Sequence, residues 1–209
     1  TNAIISVNNQ KVEISSKLVG KFNLYNILSS IAAAYTLKIS ILNIARGIES
    51  FSSIPGRMEV IPSNTKGTII IDYAHTPDAF KNVLSTVVDL CENKKIITLF
   101  GCGGNRDKSK RAVMATIAEK YSHSIFETSD NPRNENLDNI FSDICKGFKK
   151  AYFTIINNRS EAIKKALSML DDDSILLILG KGQDNYQEEN GNFISHNDSE
   201  IIKNYIYES

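Results

Sequence analysis

A short polar segment, Asp130-Asn131-Pro132-Arg133, follows an apolar run and combines groups that could bind a zwitterion. The guanidinium of an arginine can bind a carboxylate through two parallel hydrogen bonds. A carboxylate can accept the hydrogen bonds of an ammonium group. Aspartate and asparagine also favour turns, so the same segment could simply cap the helix that follows it. Both interpretations remain open from the segment alone.

Two glycine-containing segments could bring backbone amides close to an anion. They are Gly101-Cys102-Gly103-Gly104, which Arg106 follows, and Gly180-Lys181-Gly182. Glycines of this kind are equally common in ordinary tight turns. Neither segment is a P-loop, because the G-x-x-x-x-G-K-[ST] pattern occurs nowhere in the sequence. Cys102 has no visible partner for nucleophilic catalysis, and we interpret it as a small residue.

Asp72 and His75 lie three residues apart after another apolar run and could take part in acid–base chemistry. A single histidine is as compatible with a structural role as with a catalytic one. The other histidines, His123 and His196, support no functional hypothesis.

The region after Gly56 alternates apolar runs with helical stretches, which predicts the elements that position these residues. Strands are expected at residues 68–71, 96–100, 124–126, 152–156 and 175–179. Helices are expected at residues 77–90, 108–121, 137–151 and 159–170, with a last helix after Asp198. Nearly continuous apolar strands that alternate with helices predict an α/β fold with a Rossmann-like, mostly parallel sheet covered by helices on both faces.

The segments that follow the five predicted strands contain almost every unusual polar cluster of the chain. They are residues 72–77, 101–108, 129–133, 157–161 and 180–186. In open α/β sheets, ligands bind beyond the carboxyl ends of the strands. The sequence therefore predicts one binding site at this edge of the sheet.

Residues 1–54 form a shorter region with a hairpin-like stretch at 3–14 and helices near 23–36 and 41–51. The turn-rich segment at residues 52–56 predicts a linker to the α/β domain, which is expected to occupy residues 55–209. Two helices and a ribbon are too small for a self-sufficient domain, so apolar faces that need a partner are expected here.

Composition excludes several classes of protein. Lys and Arg number 24 and balance the 24 Asp and Glu residues, which argues against a nucleic-acid-binding protein. No apolar run approaches the length of a membrane span, and the N-terminus lacks a signal-peptide pattern. The three dispersed cysteines favour a reducing compartment. These features predict a soluble cytoplasmic protein without membrane or nucleic-acid partners.

Six segments of the chain stand in an order that resembles the Mur ligases, in particular their diaminopimelate-adding members. They are Gly20-Lys21-Phe22-Asn23-x-x-Asn26, Gly56-Arg57-Met58-Glu59, Asp72-Tyr73-Ala74-His75-Thr76-Pro77-Asp78, Gly101-Cys102-Gly103-Gly104-x-Arg106-Asp107-Lys108, Asp130-Asn131-Pro132-Arg133 and Gly180-Lys181-Gly182. The resemblance covers essentially the whole chain. It implies ATP-dependent amide formation in peptidoglycan precursor synthesis. ATP phosphorylates the side-chain carboxylate of D-glutamate in UDP-MurNAc-L-Ala-D-Glu, and the amine of meso-diaminopimelate attacks the resulting acyl phosphate, which releases phosphate.

The resemblance also implies roles for individual residues. It implies that Asn26, Arg57 and Asp72 contact the nucleotide. It also implies that Asp72 and His75 take part in catalysis. The residues implied to bind diaminopimelate are Arg106, Asp130, Asn131, Pro132, Arg133, Gly180 and Asp184. Diaminopimelate carries a carboxylate and an ammonium at its far end, which suit an arginine and an acidic side chain. Lysine lacks the far carboxylate and would leave the arginine unpaired, which is costly in a buried site.

The sequence departs from the family pattern at two places. The family usually has Gly-Lys-Gly-His-Glu-Asp-Tyr-Gln where this chain has Gln183, Asp184 and Asn185 after its Gly-Lys-Gly, so Asp184 is one methylene shorter than the expected glutamate. Ser129 replaces an aspartate that often precedes the Asp-Asn-Pro-Arg segment. The diaminopimelate contacts of Asp184 are therefore expected to be longer or mediated by water.

The resemblance implies that residues 1–54 are the tail of the central ATPase domain and that 55–209 are the C-terminal domain. The uridine-nucleotide domain, the P-loop and the Mg²⁺ ligands are expected outside this chain, which alone is expected to be inactive. Two alternatives remain open: a non-catalytic amino-acid-binding module of the same fold, and a relative that adds lysine. A Rossmann dehydrogenase is disfavoured because no G-x-G-x-x-G follows a strand.

Overall fold

The computed structural model describes residues 1–8, 10–63, 66–150 and 152–208. The chain divides into two units, Thr1–Ile54 and Pro55–Ser209. The N-terminal unit contains an antiparallel hairpin of β1 (Asn2–Val7) and β2 (Gln10–Ser15), followed by helices α1 (Lys21–Thr36) and α2 (Ile41–Ser50). Its small core consists of Ile5, Ile14, Ile27, Ile31, Ile44 and Ala45. Several large apolar side chains of this unit are exposed, among them Leu37, Ile39, Leu42 and Phe51.

The C-terminal unit is built on a six-stranded sheet, which confirms the predicted α/β fold. Its strands are β3 (Glu59–Ile61), β4 (Thr68–Asp72), β5 (Lys95–Phe100), β6 (Ser124–Thr128), β7 (Phe153–Ile156) and β8 (Ser174–Leu179). The strand order is β3-β4-β8-β5-β6-β7. Only β3 is antiparallel to its neighbour, and the other five strands are parallel.

Five helices accompany the sheet: α3 (Pro77–Leu90), α4 (Ser109–Tyr121), α5 (Leu137–Cys145), α6 (Arg159–Leu167) and α7 (Asp198–Glu208). Successive strand residues point to opposite faces, so Ile70 belongs to a core with α3, α4 and α5, while Ile69 and Ile71 belong to a core with α6 and α7. All six residues of β8 are buried. The helices therefore cover both faces, as predicted.

Some predicted boundaries were wrong. The helix expected to reach Ala151 ends at Cys145, and Ala151 itself lies outside the described residues. Position 147, just after that end, requires glycine, because a β-carbon there would collide with the Ala112 carbonyl of α4. The helix expected to reach Leu170 ends at Leu167. The strand expected from Tyr152 begins at Phe153.

A hairpin beyond the sheet, formed by β9 (Tyr186–Glu189) and β10 (Asn192–Ser195), was not predicted from the sequence. Asn190 and Gly191 form its turn with φ angles of 49° and 76°. Positive φ at both central residues defines the turn that Asn-Gly favours between paired strands. The Asn-Gly dipeptide was thus the signal that could have predicted this hairpin.

No helix among the described residues combines the length and the apolar character needed to cross a membrane.

Candidate functional site at the carboxyl end of the sheet

A cavity of about 250 Å³ lies beyond the carboxyl ends of the parallel strands. It is bordered by the loops that follow β4, β5, β6 and β8 and by the first turn of α4. The lining residues are Tyr73, His75, Gly103, Arg106, Lys110, Asp130, Asn131, Arg133, Gly180 and Asp184. Side chains far apart in sequence, such as Arg133 and Asp184, therefore share one cavity. Of the residues predicted to bind diaminopimelate, Pro132 lies outside this lining.

Glycines allow the loops to approach one another closely. A β-carbon on Gly104 would collide with the carbonyl of Pro132, and the Gly104 amide donates to the Asn131 carbonyl at 2.9 Å. Gly180 adopts a φ of 112°, and a β-carbon there would lie 2.7 Å from Oδ2 of Asp130. A larger residue at position 104 would displace the Pro132 backbone, and one at position 180 would displace the Asp130 side chain.

The helix after the Asp130–Arg133 segment has its own cap. The side chain of Asn136 accepts hydrogen bonds from the amides of Asp138 and Asn139 at the start of α5. Asn136 is therefore the N-cap of α5. Asp130 and Asn131 do not cap this helix, and both line the cavity.

Asn131 is buried, and its orientation is determined by two donors. Its Oδ1 accepts from the Lys181 ammonium at 3.1 Å and from the Glu188 backbone amide at 2.9 Å. An ammonium and an amide can only donate, so the oxygen and nitrogen of the Asn131 side chain cannot be exchanged. Its Nδ2 has no acceptor among the described residues and remains a donor at the cavity.

Arg133 has a left-handed backbone, with a φ of 53°. Its amide donates to the Glu188 carbonyl at 2.9 Å, and its own carbonyl accepts from the Asn190 amide at 2.8 Å. In its side chain, Nε lies 2.9 Å from a Glu188 carboxylate oxygen, and Nη1 donates to the Gly104 carbonyl at 3.0 Å. Nη2 makes no hydrogen bond to the part of the chain that the structure describes. That nitrogen is available to a ligand.

Two carboxylates face the cavity, Asp130 and Asp184. Asp130 is buried, and its Oδ1 lies 3.8 Å from the Lys181 ammonium. Asp184 is half-buried. Burial is the main cause that raises the pKa of Asp184 above its ordinary value, and the Lys181 ammonium opposes that rise. Asp184 is therefore the less engaged of the two acids and the better acceptor for an added cation.

Lys181 itself is almost completely buried, and burial lowers the pKa of its ammonium.

A second buried charge pair lies nearby, between Arg159 of α6 and Asp198 of α7. The guanidinium of Arg159 donates to both carboxylate oxygens at 2.9 and 2.7 Å, and His196 lies 2.8 Å from Oδ1. Burial alone would raise the pKa of Asp198, but Arg159 and His196 outweigh it and hold that pKa well below the usual range.

His75 has one ring nitrogen engaged and one available. Its Nδ1 lies 2.8 Å from the Tyr73 carbonyl, which can only accept. The neutral ring therefore carries its proton on Nδ1 and presents the lone pair of Nε2. Lys110 donates to the His75 carbonyl at 2.8 Å, and the Tyr73 ring meets the His75 ring edge-on at 4.8 Å.

The glycine loop after β5 is held from beneath by Arg111 of α4. Its guanidinium donates to the Gly103 carbonyl at 3.1 Å and to both carboxylate oxygens of Glu135. Hydrogen bonds from Arg111 are the main reason that the pKa of Glu135 lies far below its usual value.

Burial raises the pKa of Cys102 to about 12, so its thiol is a poor nucleophile. This agrees with its interpretation as a small residue.

Residues 56–182 match the family described as Mur ligase, glutamate ligase domain. The chain belongs to the Mur ligase family. The UDP-N-acetylmuramoyl-L-alanyl-D-glutamate–2,6-diaminopimelate ligase 1 of Clostridium acetobutylicum is 41% identical over 197 residues, which are 93% of this chain and 41% of that ligase. The corresponding ligase of Aquifex aeolicus is 42% identical over 203 residues, 97% of this chain and 42% of its own.

Solved structures of Mur ligases and a related ligase share the fold. A UDP-N-acetylmuramoyl-L-alanyl-D-glutamate–2,6-diaminopimelate ligase superposes with a TM-score of 0.71 and 32% identity, over 99% of this chain and 42% of that one. A pseudomurein peptide ligase type C from Methanothermus fervidus gives 0.70 and 26% identity, over 99% and 40%. This Mur ligase chain spans about two fifths of the length of the curated relatives it matches.

The Mur ligase residues predicted to bind nucleotide lie outside the cavity lining. Asp72 is buried and accepts hydrogen bonds from the amides of Met58 at 2.8 Å and Ala74 at 2.7 Å. Burial raises the pKa of Asp72, and those two bonds and Arg57 oppose the rise. The exposed Arg57 guanidinium lies 4.6 Å from the centre of the Tyr73 ring. Asn26, in the N-terminal unit, is exposed. Their nucleotide contacts stay predictions.

No group of three or more His, Cys, Asp or Glu residues in the described part of the chain could hold a metal ion. The prediction that Mg²⁺ ligands lie elsewhere in a Mur ligase is not tested by this. Several residues that border or support the cavity were given no role from the sequence, among them Tyr73, Lys110, Lys181 and Glu188. Of these, Tyr73 and Lys181 stood in the quoted segments, but the burial of Lys181 could not be predicted from the sequence.

Proposed function

We propose that this chain is the amino-acid-binding part of an ATP-dependent ligase that adds meso-diaminopimelate to UDP-MurNAc-L-Ala-D-Glu in the cytoplasmic synthesis of peptidoglycan precursors. The names of the 41% and 42% identical relatives support this assignment, because both are 2,6-diaminopimelate ligases. The rest of the ligase, including the P-loop and the Mg²⁺ ligands, belongs to parts that this sequence does not contain.

The main support for the proposal is that one cavity contains both hydrogen-bond donors without a protein partner and an acidic side chain. Arg133 Nη2 and Asn131 Nδ2 offer two donors for the far carboxylate of diaminopimelate. Asp184 offers an acceptor for the far ammonium. Lysine carries no far carboxylate, so it would leave these donors without a partner in a partly buried site. That loss is the physical basis for preferring diaminopimelate over lysine.

The near end of diaminopimelate carries the attacking amine and a second carboxylate. Arg106 and Lys110 supply positive charge for that carboxylate. The amine must be neutral to attack, and the lone pair of His75 Nε2 can accept the proton that it loses. ATP, when bound, supplies the phosphoryl group that turns the D-glutamate carboxylate into an electrophile. This chain contributes the positioning of the amine.

The surroundings of Arg57 are compatible with the nucleotide contacts proposed for it. The Arg57 guanidinium stacks on Tyr73 and is exposed, so its N–H groups can reach a phosphate or ribose. Asp72 fits less directly, since two backbone amides already occupy its carboxylate oxygens. Its role in this proposal is to fix the loop that carries Arg57.

Isothermal titration calorimetry with meso-diaminopimelate tests the binding part of the proposal. We expect saturable binding to the chain, loss of binding in Arg133→Ala, and much weaker binding of lysine. Arg46→Ala, which changes an arginine of the N-terminal unit, is the matched control and should bind as the parent does. Equal binding of lysine and diaminopimelate, or undiminished binding by Arg133→Ala, would refute the proposed specificity.

Phosphate release tests the catalytic part. The chain alone, with ATP, Mg²⁺ and both substrates, is expected to release no phosphate above background. Activity should appear when the N-terminal part of a diaminopimelate ligase is joined to it. Turnover by the chain alone would contradict the proposal. Binding without activity in the joined protein would instead identify a non-catalytic amino-acid-binding module.

A further inference from the structure

The hairpin of β9 and β10 is attached to the Asp130–Arg133 segment through its first strand. The Gln187 side chain donates to the Asp130 carbonyl at 2.7 Å and to the Ser129 hydroxyl at 3.0 Å. The Glu188 amide donates to the Asn131 side chain, and the Glu188 carbonyl accepts from the Arg133 amide. The hairpin therefore fixes the backbone from which the carboxylate-binding donors extend.

Glu188 also contacts the side chain of Arg133. Its carboxylate lies 2.9 Å from Arg133 Nε. The two side chains are about a quarter exposed, at 21% for Arg133 and 26% for Glu188. Arg133 Nη1 donates a hydrogen bond to the Gly104 carbonyl. Glu188 and Gly104 together engage two nitrogens of the Arg133 guanidinium, and the third, Nη2, has no hydrogen-bond partner among the described residues.

We propose that Glu188 is a positioning residue that sets the preference for a far carboxylate by orienting the Arg133 guanidinium. The proposal rests on the proposed function and deepens it. Glu188 does not touch the ligand in this account. It removes the rotational freedom of a long side chain before the ligand binds, so less entropy is lost on binding.

The direction in which diaminopimelate binding changes when Glu188 is removed distinguishes orientation of Arg133 from simple neutralisation of its charge. If Glu188 only neutralised Arg133, its removal would leave a bare guanidinium and strengthen binding of a dicarboxylate. If Glu188 orients Arg133, its removal weakens that binding. Glutamine at this position keeps an oxygen that can accept from Nε, so it should preserve part of the effect.

The test measures dissociation constants for meso-diaminopimelate by calorimetry on the whole chain, with lysine measured by competition. We expect Glu188→Ala to weaken diaminopimelate binding on the order of ten-fold and Glu188→Gln to weaken it less. Competition by lysine should change little. Glu189→Gln is the matched control, because Glu189 is the exposed neighbouring acid on the same strand. It should bind as the parent chain does.

Unchanged or tighter binding by Glu188→Ala would overturn the proposal, as would an equal loss for diaminopimelate and lysine. Melting temperatures measured by circular dichroism show whether each variant is folded, and Glu188→Gln keeps the test decisive if the alanine variant is not. If the parent chain fails to bind diaminopimelate, the proposed function itself is wrong. If the parent binds and the Glu188 variants match it, only the positioning role is wrong.

Discussion

Replacing Glu127 with glutamine is expected to stabilise the C-terminal unit at neutral pH. Glu127 is the penultimate residue of β6, the strand that precedes the loop with Asp130, and its side chain is completely buried. One carboxylate oxygen lies 3.6 Å from the Cys145 sulfur, and the other has no hydrogen-bond partner among the described residues. Burial raises the pKa of Glu127 from 4.5 to about 8.

The size of the effect follows from that pKa. Below pH 4.5 the folded and unfolded chains both hold the proton, so the carboxyl adds no pH-dependent penalty. As pH rises further, the unfolded chain releases the proton while the folded chain retains it. Stability therefore falls by about 1.4 kcal/mol per pH unit until the penalty is complete near pH 8. At pH 7 the penalty is on the order of 3 kcal/mol.

Glutamine resembles the protonated side chain in shape and cannot ionise, so Glu127→Gln should escape this penalty. Urea unfolding of both proteins, followed by circular dichroism at several pH values, measures the difference in free energy of unfolding. That difference should grow by about 2.7 kcal/mol between pH 5 and pH 7. Glu92→Gln, which removes an exposed carboxylate, is the control and should show no such growth. A difference that does not change with pH would refute the reasoning.

Three further predictions concern the buried pair and the cavity. Asp198→Asn leaves the buried Arg159 without its counter-ion and should cost about 3–5 kcal/mol of unfolding free energy in urea, whereas the exposed Asp173→Asn should cost little. Gly180→Ala should weaken diaminopimelate binding in calorimetry on the order of ten-fold, because its β-carbon would reach Asp130. Gly191→Ala, also at positive φ but with open space around it, should not. Diaminopimelate binding should weaken as pH falls through the raised pKa of Asp184, since the protonated acid loses its attraction for an ammonium, and Asp184→Asn should remove that pH dependence.

The location of the site could be predicted because it follows from strand direction. Parallel strands end at the same edge, so the segments that contain Arg133 and Asp184 had to lie near each other once the strands were recognised. The apolar runs made that recognition straightforward. All six residues of β8 are buried, as the strand next to both β4 and β5 must be in a sheet covered on both faces.

The support around the site could not be predicted, because it depends on how β9 folds back over a loop more than fifty residues earlier in the sequence. Glu188 looks like any exposed acid in the sequence, yet its amide, carbonyl and carboxylate all contact the Asn131–Arg133 region. Lys181 is similar, since its buried ammonium contacts Asn131 and Asp130, which lie about fifty residues earlier in the chain.

Asp72 shows a second limit of the sequence. Its position at the end of β4 was visible, but the use of its carboxylate was not. The amide of Met58 reaches it because β3 pairs with β4 in antiparallel fashion, and β3 has only three residues and gave no recognisable pattern. A polar residue at a strand end can thus be predicted to lie at a site edge without its partner being known.

A crystal structure of the chain with meso-diaminopimelate would show directly whether Arg133, Asn131 and Asp184 bind the far end of the ligand. We expect the far carboxylate to lie within ~3 Å of Arg133 Nη2 and Asn131 Nδ2, with the far ammonium facing Asp184. Diaminopimelate bound with its far carboxylate away from Arg133, or bound outside this cavity, would contradict it.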